Sequence, residues 1–511
     1  MNGSEFTRAQ AAGEAVFVFG SIAMRRGGVT RTILNRMRLY AESGIKVRLL
    51  LTGHGPREDD EEAAIRKAWP LPDTVEIRYF WREAAPGGGG APADPLAPAR
   101  QVPGCTAFPD PTAPDTLVRF YHDGLLVKTK HFESDGRLQR IDQHDPARRP
   151  VSREYFDPHG RLVRIDEINP DTGKATLRRW FDRSGECWLT NWLSKLGGPG
   201  SAVRHRPSPV GYDNLGQCVA EWVDEVLAGS AAPVVFSDTR NQDHVLLAMT
   251  HPGARKVAVL HNCHTTKPYR AEDATKSNWL PLFDNIDRVD TVVALTHQQR
   301  DDIVRRYGGT NLTVINHPTP PSPEFRVPRE PGLLVAISRL ETQKRLDDAI
   351  RAFALAAREV PQARFDIYGT GTEARTLKAL VNKLNMTDRI RFHGFTHRAL
   401  ELFARASATV LSSWFEGFPL VLNEAMGVGT PFVAYDINYG PAEVIRHDVD
   451  GLLVPRGDIE ALAAAMVRVL GDAEFAARLG ARAREVTERF SAERWEREWT
   501  ELFAKLATGQ Q

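Results

Sequence analysis

The pattern of apolar and polar positions changes rhythm three times along this chain of 511 residues. It opens with a short apolar run, Ala15 to Phe19, then a loop ending in Gly27-Gly28. Val29, Ile33, Met37 and Tyr40 follow at helical spacing, and Val47 to Leu51 reads as the next strand, which predicts a strand, helix and strand in succession. A third strand is expected at Val75 to Phe80, after which Pro, Gly and Ala crowd residues 84–115 and predict a flexible linker. Residues 116–192 follow a different rule: short aromatic and β-branched runs alternate with turns such as His122-Asp123-Gly124, Ser134-Asp135-Gly136 and Arg183-Ser184-Gly185. Their turn glycines recur about every twelve residues or a multiple of that, which predicts an antiparallel meander of hairpins.

The first rhythm returns at Gly211, with a helix through Val226 and strands at Val234 to Phe236, Lys256 to Leu260, Thr291 to Leu295 and Asn311 to Ile315. A proline-rich linker, Asn316 to Pro328, leads to an uninterrupted second half. There, strands at Leu333 to Ile337, Arg364 to Tyr368, Ile390 to His393, Ala408 to Leu411, Pro431 to Ala434 and Gly451 to Val454 alternate with amphipathic helices. Such alternation implies a parallel sheet covered on both faces, with ligands at the carboxyl edge of its strands. The expected class is α/β. Residues 1–83 and 196–327 form a first domain, split by a linker (84–115) and an inserted β module (116–195). Residues 328–490 form a second domain, and 491–511 a final helix with Ser491 as its cap and Trp495 and Trp499 on one face.

Composition narrows the partners. Hydrophobic residues make up 42% and charged residues 26%, and 66 Lys+Arg against 65 Asp+Glu leave a formal charge of +1. No global field points to nucleic acid or a membrane surface. Only four cysteines occur, without paired metal-ligand spacing, and no run approaches a membrane span, so a reducing cytoplasm is expected.

The candidate chemistry gathers on the carboxyl edge of the second half. Glu416 and Gly417 fall in a strand-to-helix turn, Pro419 suits the first helical position, and Glu424 lies inside the helix. The backbone N–H groups of Gly417, Phe418 and Leu420 lack intrahelical partners and, with the helix dipole, suit a phosphate. Arg339 and Lys344 follow the first strand of this half, where two cations can hold a diphosphate. Gly369 lies in a Gly-x-Gly turn, and His393 to Phe395 ends the next strand. His261 and His264 end a strand of the first half, and zinc binding by this His-x-x-His has no third ligand nearby. Asp448-Val449-Asp450 has metal-ligand form, but it precedes an ordinary turn and strand, Gly451 to Val454.

The run E-G-F-P-L-V-x-x-E-A from Glu416 to Ala425, with Arg339 and Lys344 at R-x4-K spacing, resembles the retaining glycosyltransferases of the family-four type. That resemblance covers about residues 14–80 and 211–507. It implies the GT-B fold, two facing Rossmann-like domains with an active cleft between them, and an antiparallel β-meander inserted in the first. It further implies transfer of a sugar from a nucleotide diphosphate sugar, a UDP-sugar, to a hydroxyl with retention at the anomeric carbon. In that scheme Gly27 and Gly28 border the donor diphosphate, Arg339 and Lys344 clamp it, and Glu416 meets the donor sugar. Glu424 meets the ribose, the backbone at His393 and Phe395 reads the base, and Gly369 packs near the donor. One of His261 and His264 faces the sugar. No metal or cofactor is expected. The insert resembles those of bacterial enzymes that glycosylate wall teichoic acid or serine-rich proteins.

The insert is rich in arginine, with Arg137, Arg140, Arg148, Arg149, Arg153, Arg161, Arg164, Arg178 and Arg179. Two readings stay open: these cations draw in an anionic polymer such as a polyol phosphate, or they pair with Asp142, Asp145, Glu154, Asp157, Asp166 and Glu167 while the sheet edge makes a homo-oligomer contact. A non-catalytic acceptor-binding subunit and a sugar-nucleotide epimerase are the rival functions. The first would be expected to lose a cation or a glutamate, and the second would convert donor without acceptor.

Overall fold

The computed structural model describes residues 13–22, 28–54, 58–86, 99–325 and 327–509. Three sheets organise them. The first is parallel and seven-stranded, in the spatial order Leu312–Val314, Thr291–Ala294, Arg255–Val259, Ala232–Ser237, Gly13–Phe19, Lys46–Leu51, Val75–Tyr79. The second is parallel and six-stranded, in the order Ile390–Gly394, Arg364–Tyr368, Glu330–Ile337, Ala406–Leu411, Phe432–Asp436, Gly451–Pro455. The chain enters each sheet in the middle and winds outward in both directions, so each has a crevice at its carboxyl edge where the winding reverses. Runs such as Gly13–Phe19 and Ala406–Leu411 are buried at every position, as strands covered by helices on both faces must be.

The third sheet is antiparallel, with ten strands in plain sequence order from Thr106–Pro109 to Val210–Tyr212. It is longer at both ends than its hairpin spacing implied. Thr106–Pro109 falls in the expected linker, and Pro199–Arg204 and Val210–Tyr212 fall where the first domain was expected to resume, so the helix begins only at Leu215. Register explains where the module's charges go. Asp142 pairs with Arg153, Arg153 with Asp166, and Asp166 with Arg178 across four neighbouring strands, making one row of alternating charge on one face. Asp142 and Asp166 are buried beneath these side chains, and Arg140 and Arg164 reach the same two carboxylates at 2.8 and 2.9 Å. Outside that row Arg149 pairs with Asp145, Arg161 with Asp157 and Arg179 with Glu167.

The final helix, Ala492–Thr508, is capped by Ser491, whose Oγ accepts from the Arg494 N–H at 3.1 Å. Its apolar face, Trp495, Trp499 and Phe503, joins the core of the first sheet with Phe17, Tyr40 and Phe236 rather than that of the second. The chain therefore crosses back, and its end completes the domain that its beginning starts. No helix among the described residues is long and apolar enough to cross a membrane.

Candidate active site

Three turns along the carboxyl edge of the second sheet are tied together by their backbones. Ser338 N donates to Tyr368 O at 3.1 Å, Leu340 N to Thr370 O at 2.9 Å, and Gly369 N to Gly394 O at 2.7 Å. Gly369 has a packing reason to be glycine: its φ is 139°, and a Cβ there would lie 1.8 Å from the Ser338 carbonyl oxygen. His393 is exposed but engaged, stacked on Tyr368 with centroids 4.5 Å apart and paired with Asp366 at 3.0 Å, whereas Phe395 stands 68% exposed.

On the neighbouring strand the loop after Leu411 is zipped to residues 342–345. Gln343 Nε2 donates to Phe415 O at 2.9 Å, Trp414 N to Gln343 O at 2.9 Å, and Ser412 Oγ to Lys344 O at 3.0 Å. This places Lys344 Nζ 2.6 Å from Glu416 Oε1, with both side chains largely buried. The Glu416 backbone is itself clamped, its N–H donating to Asn438 O and its carbonyl accepting from Tyr439 N. Arg339 is exposed and has no ion pair or hydrogen bond through its side chain with any described residue. One cation is thus committed to a glutamate, and the other is available. Pro419 takes the cap position, one residue before the expected first helical position, and the helix runs Leu420–Gly427.

The first domain closes over this edge. Gly417 packs so tightly on the strand end carrying His261 that a Cβ there would lie 2.3 Å from the His261 carbonyl oxygen. Gly28, which begins the helix Gly28–Glu42, meets the Leu420 side chain in the same way. Gly27 lies outside the described residues. Glu424 points across the seam to Arg31 at 2.6 Å, so the two glutamates of the motif face different cations. Arg31 and Glu424 line a cleft of about 340 Å³ with Thr32, Asn35, Pro318 and Trp495. Glu443 adds a further link across the seam, accepting from His297 Nδ1 at 2.6 Å.

The two histidines separate cleanly. His264 is fully buried, stacked on Tyr439 at 5.9 Å and edge-on to Phe283 at 5.5 Å, and neither ring nitrogen has a partner. It is packed between Phe283 of the first domain and Tyr439 of the second, with no exposed surface. His261 sits in the seam, its ring stacked on His317 at 5.6 Å, and its Nε2 lies 2.8 Å from Asp238 Oδ1. Burial alone would raise the Asp238 pKa, but Arg36 and His261 beside it outweigh burial and hold the carboxyl below its ordinary range. Asp238 and Arg36 were absent from the sequence expectations. The signal for Arg36 was present, since it lies three residues after Ile33 and four before Tyr40, on the apolar face of its helix, and a cation there requires a partner.

The metal-like pair Asp448 and Asp450 is engaged by arginines. Asp450 is fully buried and accepts from Arg446 at 2.6 Å, and Asp448 pairs with Arg468 at 2.7 Å. Both carboxylates hold the turn before Gly451–Pro455.

Burial, together with Arg306 and Lys276, pushes the His264 pKa down to about 4. Its folded value lies below its unfolded one, so its contribution to stability is present above the unfolded pKa and is lost as pH falls toward 4. Lowering the pH from 7 to 5 should cost about 2 kcal/mol through this residue alone. The urea midpoint measured at both pH values checks this. His264→Phe, which keeps the stacking and removes the proton site, should show a smaller acid loss than the parent.

Two parallel Rossmann-like sheets that meet in a seam at their carboxyl edges make the GT-B fold. Residues 322–486, most of the second domain, match the family described as Glycosyl transferases group 1, so the chain carries a domain of that family. The structure of TarM from S. aureus, solved with fondaparinux, alpha-GlcNAc-glycerol and UDP, superposes with a TM-score of 0.80 at 18% identity, covering 96% of this chain and 99% of that one. The likeness extends over both domains and the insert. Among curated relatives, an exopolysaccharide phosphotransferase of Streptomyces coelicolor is 38% identical over 231 residues, 45% of this chain and 24% of that protein. The poly(glycerol-phosphate) alpha-glucosyltransferase of Bacillus subtilis is 28% identical over 287 residues, 54% of this chain and 42% of that protein. The chain thus spans less than half the length of either curated relative.

Proposed function

We propose that this chain transfers a hexose from a UDP-sugar to a hydroxyl of an anionic polymer or a protein, with retention at the anomeric carbon. The observation that carries the reading is the Lys344–Glu416 pair at the seam, 2.6 Å apart, on the same sheet edge as the unpaired Arg339. As the glycosidic bond breaks, negative charge grows on the leaving diphosphate. Arg339, Lys344 and the N–H groups at the start of Leu420–Gly427 are aimed to stabilise it. Lys344 also holds Glu416 in place for a donor hydroxyl, while Phe395 and the Gly394 turn offer a face for the base. Of the two candidates, the reading assigns the donor sugar to His261, supported by its position in the seam beside His317. These groups supply the positive charge a metal would otherwise provide at the leaving group, so no metal is required. The acceptor reading rests on the insert, where two buried carboxylates lie among four guanidiniums, Arg140, Arg153, Arg164 and Arg178, leaving that face cationic. The relatives' named substrates fit such a face, and the unpaired cysteines suit a reducing cytoplasm.

The test is release of nucleotide from UDP-, GDP- and ADP-sugars in excess chelator, with and without poly(glycerol phosphate), and NMR of the product's anomeric centre. UDP release that depends on acceptor, with retention, is expected. Release of UMP would assign sugar-phosphate transfer instead, which is the outcome to watch for because the Streptomyces relative is named a phosphotransferase. Donor conversion without acceptor would assign an epimerase, and loss of turnover restored by magnesium or manganese would overturn metal independence.

A further inference from the structure

His261 stands at the end of a buried chain of contacts that begins on the final helix. Arg36 is 1% exposed, and its guanidinium carbon lies 4.2 Å from the Trp499 ring centre, 4.7 Å from Phe236 and 5.0 Å from Phe17. The aromatic faces fix the guanidinium plane. Arg36 Nη2 donates to Asp238 Oδ2 at 2.5 Å, and Asp238 Oδ1 lies 2.8 Å from His261 Nε2. Asp238 follows the strand Ala232–Ser237, and His261 comes two residues after the adjacent parallel strand Arg255–Val259, so both leave the carboxyl edge of neighbouring strands, where their side chains meet. His261 Nδ1 is buried and has no hydrogen-bond partner. Its own backbone carbonyl is the atom against which Gly417 packs.

We infer that Asp238 is a positioning residue that, braced by Arg36 and Trp499, fixes the tautomer of His261 so that its Nδ1 lone pair accepts a hydrogen bond from a hydroxyl of the donor hexose. The inference rests on the proposed sugar transfer for its substrate, but its first step does not. A carboxylate beside a ring nitrogen only accepts, so it selects the tautomer with hydrogen on Nε2 and leaves Nδ1 as an acceptor. An orphaned acceptor in a closed seam is costly unless something binds it. A sugar hydroxyl is a donor of suitable size, and the Glu416 turn that the proposed transfer assigns to the donor packs against this same residue through Gly417. Arg36 has the complementary task of opposing the upward pull of burial on the Asp238 carboxyl.

The first experiment needs no turnover. Selective 15N labelling of histidine in the full chain, with His261 assigned by comparison with His261→Gln, should show hydrogen on Nε2 and a bare Nδ1. Asp238→Asn should shift the population toward hydrogen on Nδ1. A parent spectrum with hydrogen on Nδ1 overturns the inference whether or not the chain transfers sugar. In the assay, Asp238→Asn should lower kcat by about tenfold or more while UDP affinity by calorimetry stays within about twofold. If Asp238→Asn does not fold, His261→Asn and His261→Gln decide the matter, because asparagine places its amide at the Nδ1 position and glutamine at the Nε2 position. His261→Asn should keep more activity than His261→Gln. Equal loss, or better activity from His261→Gln, overturns the role of Nδ1. Absent turnover with the Nε2–H tautomer intact would count against the sugar-transfer reading and leave the tautomer assignment standing.

Discussion

Replacing Lys344 with alanine should lower kcat/KM for a UDP-sugar by about two to three decades, a larger loss than Arg339→Ala. Each charge-assisted contact to phosphate is worth roughly 1.5–3 kcal/mol, or one to two decades. Arg339 is exposed and unpaired, so its removal costs that contact and disturbs nothing else. Lys344 is bonded to Glu416, itself 8% exposed. Its loss therefore also leaves a carboxylate without its cation in a poorly hydrated place. The double variant Lys344→Ala/Glu416→Gln should lose little beyond Lys344→Ala alone, because the two side chains act as one unit. Steady-state kinetics with thermal midpoints alongside make the check. Turnover within about threefold of the parent for Lys344→Ala would remove the pair from the mechanism.

The second large effect is expected from one methyl group. In Gly417→Ala the new Cβ would lie 2.3 Å from the His261 carbonyl oxygen, 2.5 Å from its carbon and 2.7 Å from Asn262 N. All three are backbone atoms at a strand end, so the two domains must separate or the Glu416 turn must shift. A displacement of about 1 Å at reacting groups can cost 10²-fold, and a fall of that order in kcat/KM is predicted for a folded protein. Gly28→Ala is the control. The three nearest atoms its Cβ would meet among the described residues all belong to Leu420, most closely the Cδ1 at 2.1 Å, the far end of a flexible side chain that can rotate away, and it should stay within about tenfold of the parent. Parent-like kinetics for Gly417→Ala would mean that the seam opens freely and that its tight fit has no part in the reaction.

The parallel strands were legible in the sequence because burial on both faces writes a continuous apolar run, as in Ala15 to Phe19 and Leu333 to Ile337. The limits of the insert were not. Thr106–Pro109 is exposed at all its positions and Val210–Tyr212 spans only three residues, and such edge strands pair through backbone without a side-chain pattern. The motif glutamates could be found by spacing, but their partners could not: Arg31 lies 393 residues before Glu424, and only the facing of two domains joins them. His261 and His264 look alike in sequence because their difference is one of direction, set by the bend after the strand. Of the two readings of the arginine-rich insert, the pairing with local carboxylates is what register produces, and the surplus of guanidiniums on one face survives it.

The return of the final helix to the first sheet has a consequence for how the protein is made. Ala15 and Ala507 belong to one core, with the hairpin module and the entire second domain lying between them in the chain. As the polypeptide leaves the ribosome, the module and the second sheet have nearly all their own residues in hand before Trp495, Trp499 and Phe503 emerge. The first sheet does not, and its Arg36 waits exposed until Trp499 arrives to cover it. Closing so long a loop is slow, and apolar surface left open in the meantime is prone to aggregate. Order of birth and order of completion are therefore reversed: the domain begun first is finished last.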